Sequence, residues 1–307
     1  MEFVLYMFIN SLKKTKKKKE EESVLAIKIV CDSTAYIPQD LLRKYDILIV
    51  SLNIIFKNDT FKEIDIEKDN FYEKLKETKE LPTSAQPNIN DIYDSFEKVI
   101  KAGHKVVGIF MSSEMSGTYS SSNLVKTMII DKYPNAVIEI VDSRSNSMQM
   151  GFAVLAAAEE AFKDSSMEAV LSAAYNVIQK SRFIFVPDTL EYLRKGGRMG
   201  GATALIGMIL KIRPVLTVVD GKTSVLDKVR TKKKAVDRIV EIFMDDVKNK
   251  GLDKVIVHNI DCAEEGLELS KRIEELIGIK VEIYPIGPVI GLHTGPGAIG
   301  LVYYTKK

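Results

Sequence analysis

From Ala26 onward, runs of continuously apolar residues alternate with stretches of helical periodicity. Ile27–Cys31 ends in Asp32-Ser33-Thr34, and Ile47–Phe56 makes a second, longer extended run. Lys105–Met111 breaks into Ser112-Ser113-Glu114-Met115-Ser116-Gly117-Thr118, and Val137–Val141 ends in Asp142-Ser143. Strands apolar on both faces and separated by helices predict a parallel sheet covered on both sides. The helices fall at Ile92–Ala102, Ser120–Lys132 and Gly151–Phe162. The last is rich in Ala, Val, Leu and Phe and is expected to be buried.

The second half reads differently. Six strands are predicted: Phe183–Pro187, Val215–Val219, Thr223–Val229, Lys254–Ile260, Lys280–Tyr284 and Ala298–Thr305. Two of them flank Asp220-Gly221, a strong hairpin dipeptide. Between Lys234 and Lys248, Val236, Ile239, Val240, Phe243 and Val247 fall on one helix face, and Gly251 closes the helix. The fold class is therefore α/β. An N-terminal three-layer α/β/α domain with a parallel sheet spans 27–164. A two-layer domain with a six-stranded mixed sheet spans 165–307, the boundary falling where Lys163–Ser166 reads KDSS.

Residues 1–26 stand apart. Met1–Leu12 is apolar and Lys13–Glu22 reads KKTKKKKEEE. About 12 residues cannot span a bilayer as a helix, which needs roughly 20. The pattern of a secretory signal is missing. A disordered extension is expected, with at most transient membrane contact through a weak interfacial anchor. The chain as a whole, 46% hydrophobic with a net charge of +2, fits a soluble globular protein without the basic field that nucleic-acid binding needs. Cys31 and Cys262 lie in separate apolar runs, which points to buried thiols in a reducing, cytoplasmic setting. His104, His258 and His293 lie on separate segments, so neither a metal site nor a cofactor is expected.

Candidate chemistry concentrates in three places. Pro288–Gly300, PVIGLHTGPGAIG, surrounds His293 with glycines and prolines and reads as a loop without helix or strand. Its imidazole can offer one nitrogen as donor and the other as acceptor. Ser116-Gly117-Thr118 follows an apolar strand and precedes a helix, where the open end of a parallel sheet receives ligands. Pro82-Thr83-Ser84-Ala85-Gln86-Pro87 is a helix-entry loop stiffened by two prolines. Thr83, Ser116 and His293 together would make a cluster without fixed charge, suited to a carboxyl group that is held and then released.

These residues resemble the DegV family. The resemblance rests on Asp32-Ser33-Thr34, Thr83-Ser84 with Gln86-Pro87, Ser113-x-x-Ser116-Gly117-Thr118-Tyr119, Asp142-Ser143, Tyr192-Leu193-x-x-Gly196-Gly197-Arg198 and His293-x-Gly295-Pro296-Gly297. Order and spacing match over roughly Ile27–Tyr304. The resemblance implies a fatty-acid carrier that is not itself an enzyme: the lipid-binding subunit of a bacterial fatty acid kinase. The acyl chain would lie in an apolar tunnel between two domains. Thr83 and Ser116 would hold the carboxylate, with His293 nearby and Ser84, Gly117 and Thr118 supporting the loop. A separate kinase chain would supply ATP, and an acyltransferase of phospholipid synthesis would receive the acyl-phosphate. The chain departs from the family's pattern at Tyr36, where Asp is common, and at Ala85, inserted before Gln86, which leaves Thr83 the firmer expectation.

Burying a methylene is worth about 0.8 kcal/mol, so roughly 14 of them offer about 11 kcal/mol before the costs of binding. Met115, Ile206, Met208, Ile209 and Leu210 are the expected tunnel residues. Arg198 in KGGRMGG is assigned to a partner or phosphate contact, with Arg194, Lys195 and Lys211 extending that surface. Three rivals remain: a lipid hydrolase using Ser116 and His293, a kinase in its own right, and a lipid-sensing regulator. The chain has neither a G-x-S-x-G elbow nor a G-x-x-x-x-G-K-[ST] loop.

Overall fold

The structure, a computed structural model, describes residues 26–57, 59–77, 80–208 and 212–307, with side chains at 68, 69 and 206–208 also outside the description. The expectation of a disordered extension thus lies outside the described residues, as do four of the five expected tunnel side chains, Ile206, Met208, Ile209 and Leu210.

In chain order the first half contains β1 (Ile27–Asp32), α1 (Gln39–Lys44), β2 (Leu48–Val50), β3 (Asn53–Phe56), β4 (Asp59–Lys62), α2 (Lys68–Glu77), β5 (Thr83–Ala85), α3 (Ile89–Lys101), β6 (Lys105–Phe110), α4 (Thr118–Lys132), β7 (Ile138–Asp142) and α5 (Ser147–Ala161). The second contains α6 (Met167–Lys180), β8 (Ser181–Val186), α7 (Glu191–Lys195), β9 (Arg213–Val219), β10 (Lys222–Val229), α8 (Lys232–Lys250), β11 (Leu252–Asn259), α9 (Ala263–Ile277), β12 (Glu282–Ile283), α10 (Pro288–Thr294) and β13 (Ile299–Thr305). Strands β2-β1-β6-β7 form a parallel sheet, and β10-β9-β8-β13-β11-β12 form a mixed sheet.

The alternation of side chains along a strand explains the unbroken apolar runs. Val30, Val106 and Phe110 point to one face and pack with Ile92, Phe96, Val125 and Ile129 of α3 and α4. Ile29, Cys31, Val107 and Ile109 point to the other and join Ala153, Val154 and Ala157 of α5. The mixed sheet divides in the same way. Ile184, Val215, Val257 and Leu301 pack under α8 and α9, whereas Phe183, Phe185, Leu216 and Val302 join the core shared with α5. Two layers from the second half therefore close against the first half. Among the described residues no helix is long and apolar enough to cross a membrane.

Three sequence expectations are corrected. The run Ile47–Phe56 is two strands in different sheets. Leu52 breaks it, because its N–H goes to Ser33 Oγ (3.1 Å) and its carbonyl to Glu63 N (2.8 Å). Thr83-Ser84-Ala85 is an edge strand of a small antiparallel sheet, β4-β3-β5, and not a loop; Ser84 pairs with Ile54 and Thr83 with Ile55. Pro288–Thr294 is a helix. Pro288 sits in its first turn, where a missing N–H costs nothing, and Gly295 at φ +88° ends it.

Candidate functional site

A cleft of about 640 Å³, its open mouth included, lies where the carboxyl ends of the parallel strands meet the inner face of the mixed sheet. The turns after β6 and β7 bring Met115, Ser116 and Asn146, and β5 brings Ser84 and Ala85. Strands β8 to β10 supply Phe183, Phe185, Val218 and Thr223. Helix α10 brings Val289, Ile290 and His293, and Arg198 follows α7. The lining thus combines polar side chains, among them Ser84, Ser116, Arg198 and His293, with apolar ones such as Phe183, Phe185 and Val289.

Ser116 and His293 both line this cleft; Thr83 does not. Successive residues of a strand face opposite ways, so when Ser84 turns inward Thr83 turns outward and is exposed. Ser84 Oγ lies 2.8 Å from His293 Nε2. Of the two adjacent hydroxyl residues, the one that lines the cleft is thus Ser84, the supporting residue of the sequence reading. Ala85, the inserted residue, pairs with Asn53 in the small sheet and lines the cleft. Among the five expected tunnel residues, Met115 is a lining residue.

Ser116 is held by its own turn. Its Oγ lies 2.9 Å from Thr118 Oγ1 and accepts from Thr118 N at 3.3 Å, while its N–H reaches Ser112 O at 3.1 Å. Gly117 is required here for close approach. A Cβ at that position would overlap the Gln86 amide oxygen and come within 3.3 Å of Gln86 Cδ. Gln86 in turn donates to Ser121 Oγ at 2.7 Å, which clasps β5's exit to the start of α4.

His293 is set by elements that sequence reasoning missed. Glu63, buried just after β4, accepts from Val289 N (2.8 Å), from Tyr36 OH (2.8 Å) and from Ser33 Oγ. Tyr36 OH also accepts from Ile290 N at 3.2 Å. A carboxylate and a phenol from the first half thus satisfy the free N–H groups at the start of α10. Tyr36 holds φ +49°, a conformation that Asp takes more easily, and these hydroxyl bonds offset that cost. Burial raises the Glu63 carboxyl above its ordinary value, against the bonds from Ser33, Val289 and Tyr36 that lower it. Asp32 plays a similar structural part. It is buried and accepts from Thr34 N (3.0 Å) and from Met111 N (2.7 Å), tying the ends of β1 and β6.

Helix α10 is seated through glycines at every fourth position. A Cβ on Gly287 would come within 2.5 Å of the Tyr36 ring, one on Gly291 would overlap the Tyr72 hydroxyl, and one on Gly295 would overlap the Tyr192 ring. Tyr72 OH meanwhile donates toward the carbonyls of Ile286 and Gly287, each at 3.0 Å. That four-residue spacing was the available sign of a helix in PVIGLHTG. Glu63 carried no such sign; it is one of 42 acidic residues.

The electrostatics favour an anion. Burial, and then the Arg198 cation, pull the His293 imidazole down to about 4, so it is neutral at pH 7. Its Nδ1 is buried without a hydrogen-bond partner. Arg198 donates only to carbonyls, to Met115 O from Nε (3.2 Å) and Nη2 (3.1 Å) and to Gly196 O from Nη1 (2.7 Å). Among the described residues no carboxylate pairs with it. The arrangement offers two hydroxyls, an imidazole and an uncompensated guanidinium to a carboxylate or phosphate. The hydrolase expectation joined Ser116 to His293, but the structure joins His293 to Ser84 and leaves Nδ1 without the orienting acid of a triad. Among the described residues no cluster of His, Cys, Asp and Glu could hold a metal ion.

The family profile described as "Uncharacterised protein, DegV family" matches residues 26–306. A DegV domain-containing protein of Clostridium acetobutylicum is 50% identical over 283 residues, 92% of this chain and 99% of its own length. The structure of DegV, a fatty acid binding protein from Bacillus subtilis, superimposes with a TM-score of 0.82 at 32% identity, over 92% of this chain and 100% of that one. A stearic acid-binding protein from Eubacterium ventriosum gives a TM-score of 0.84 at 28% identity, over 91% of this chain and 98% of that one.

Proposed function

This chain belongs to the DegV family, and on that premise we propose that it is a carrier for a long-chain fatty acid. The lobes 27–164 and 165–307 close on the acyl chain, and the carboxylate lies at the polar side chains of the cleft. The observation that carries this reading is the Ser84–His293 pair in a cleft that Ser116, Arg198 and a set of apolar side chains also line. With its proton on Nε2, a neutral His293 donates to Ser84 Oγ and frees the serine proton for the carboxylate. Ser116 supplies a second hydroxyl and Arg198 the opposite charge. The bound acid is then presented to a partner kinase that carries ATP, and the acyl-phosphate passes to an acyltransferase. Arg198 is the residue placed to screen the phosphoryl group. The carrier acts in the cytoplasm and has no catalytic step of its own.

Mass spectrometry of organic extracts from natively purified protein tests the ligand class. A co-purifying long-chain acid is expected, and protein that neither carries nor takes up any acid would overturn the reading. Labelling by a fluorophosphonate at Ser84 or Ser116 would replace the carrier by a hydrolase.

A further inference from the structure

His293 and Gly196 meet where α7 and α10 end. Gly196 follows α7, its N–H closing on Tyr192 O at 2.8 Å, and its carbonyl accepts from Arg198 Nη1 at 2.7 Å. Its backbone, at φ −76° and ψ −6°, is open to any residue. What excludes a side chain there is space. A Cβ on Gly196 would overlap His293 Nδ1 and come within 3.1 Å of the ring's Cε1. Gly197 shows the converse, with φ +68° and nothing within 4 Å of its missing Cβ. The contact is reciprocal, because a Cβ on Gly295, just past α10, would overlap the Tyr192 ring of α7. Each helix thus ends in a glycine that receives the other's ring.

We propose that Gly196 is a positioning residue for the carboxyl group of the bound acid: without a Cβ it admits the Nδ1 edge of the imidazole and so aims Nε2 at Ser84. Nδ1 is buried without a partner, while Nε2 lies 2.8 Å from Ser84 Oγ. A methyl at 196 would press on the ring and on Tyr192 O, 3.1 Å away. A close-packed site yields to such a group by moving a side chain, and the ring then leaves Ser84. Through its carbonyl the same glycine holds the Arg198 guanidinium, so one turn sets the spacing of imidazole and cation. The inference rests on the fatty-acid reading above and deepens it.

The test uses the full chain stripped of lipid, with palmitic acid as the probe. In the lipid-free wild type the His293 ring signals titrate near 4; in Gly196→Ala they are expected to move toward the ordinary 6.5 as the ring leaves its buried seat. Palmitic acid should bind about ten- to a hundredfold more weakly, the worth of a hydrogen bond to a charged group. Gly266→Ala, which brings a methyl within 3.0 Å of the Asn259 amide elsewhere in the same lobe, is expected to leave titration and affinity as in the wild type. A folded Gly196→Ala with the wild-type titration and affinity would overturn the positioning role and leave the ligand class standing. Should Gly196→Ala not fold, His293→Ala removes the ring it presses on. The double variant is then expected to unfold in urea where His293→Ala does, and a double variant that also fails to fold would overturn the contact. A wild type that binds no palmitic acid would overturn the ligand class, and the lipid-free titration would still decide the seating of the ring.

Discussion

Ser84 Oγ and His293 Nε2 lie 2.8 Å apart although 209 positions separate them in the chain. The serine comes from an edge strand of the small antiparallel sheet and the imidazole from a short helix in the second half. Each needs the other's element in place, so the pair exists only in the folded molecule.

The strand alternation that turns Ser84 inward makes adjacent residues separable by mutation. Ser84→Ala should weaken retention of a fatty acid by about 1.5–3 kcal/mol, the usual worth of a hydrogen bond to a charged group, and so should Ser116→Ala. Thr83→Ala, on the exposed face, should stay within about 0.5 kcal/mol of wild type. Calorimetric titration with one acid compares all three. Equal losses at Thr83 and Ser84 would contradict the inward placement of Ser84.

His293 gives the stability a pH dependence of known sign. The folded imidazole titrates near 4 against an ordinary 6.5, so the unfolded chain takes up the proton first. Its contribution is complete above about 6.5 and is lost as pH falls toward 4, on the order of 3 kcal/mol. Urea unfolding at pH 7 and near pH 4.5 should show this loss in the wild type and a flatter response in His293→Gln.

Arg198 is the charged contributor to that depression. Arg198→Ala should let the imidazole titrate nearer its ordinary value, read from the pH dependence of its ring proton shifts in NMR. The same variant should slow kinase-dependent phosphorylation of a bound acid. An imidazole that titrates identically with and without Arg198 would assign the whole depression to burial.

Glu63 holds three donors at once. Glu63→Ala strands the Val289 N–H and the hydroxyls of Ser33 and Tyr36, and should cost about 3 kcal/mol in urea unfolding. Glu63→Gln keeps an acceptor for Val289 N and should cost less. Fatty-acid affinity should follow the same order, because the start of α10 fixes where His293 points.

Gly291→Ala places a methyl against the Tyr72 hydroxyl and should destabilise by about 1–3 kcal/mol through overpacking. Removing that hydroxyl in Tyr72→Phe should recover part of the loss. A double-mutant cycle measures the coupling, and strictly additive costs would argue against this contact as the cause.

The sequence by itself determined the α/β class, the parallel sheet and the six strands of the mixed sheet, because side-chain alternation and apolar run length are local properties. Ile29 and Val30 face different helices, and that alone makes the run continuously apolar. It also singled out Ser116, Arg198 and His293 by composition around them. The tertiary structure alone decided that Ser84 and not Thr83 faces the cleft, since the pairing of Ser84 with Ile54 sets which side of β5 points inward. It decided too that Pro288–Thr294 is a helix, because Glu63 and Tyr36 satisfy its first N–H groups from 226 and 254 positions away. Local periodicity records what a residue needs buried; only the packed chain fixes which distant group meets it.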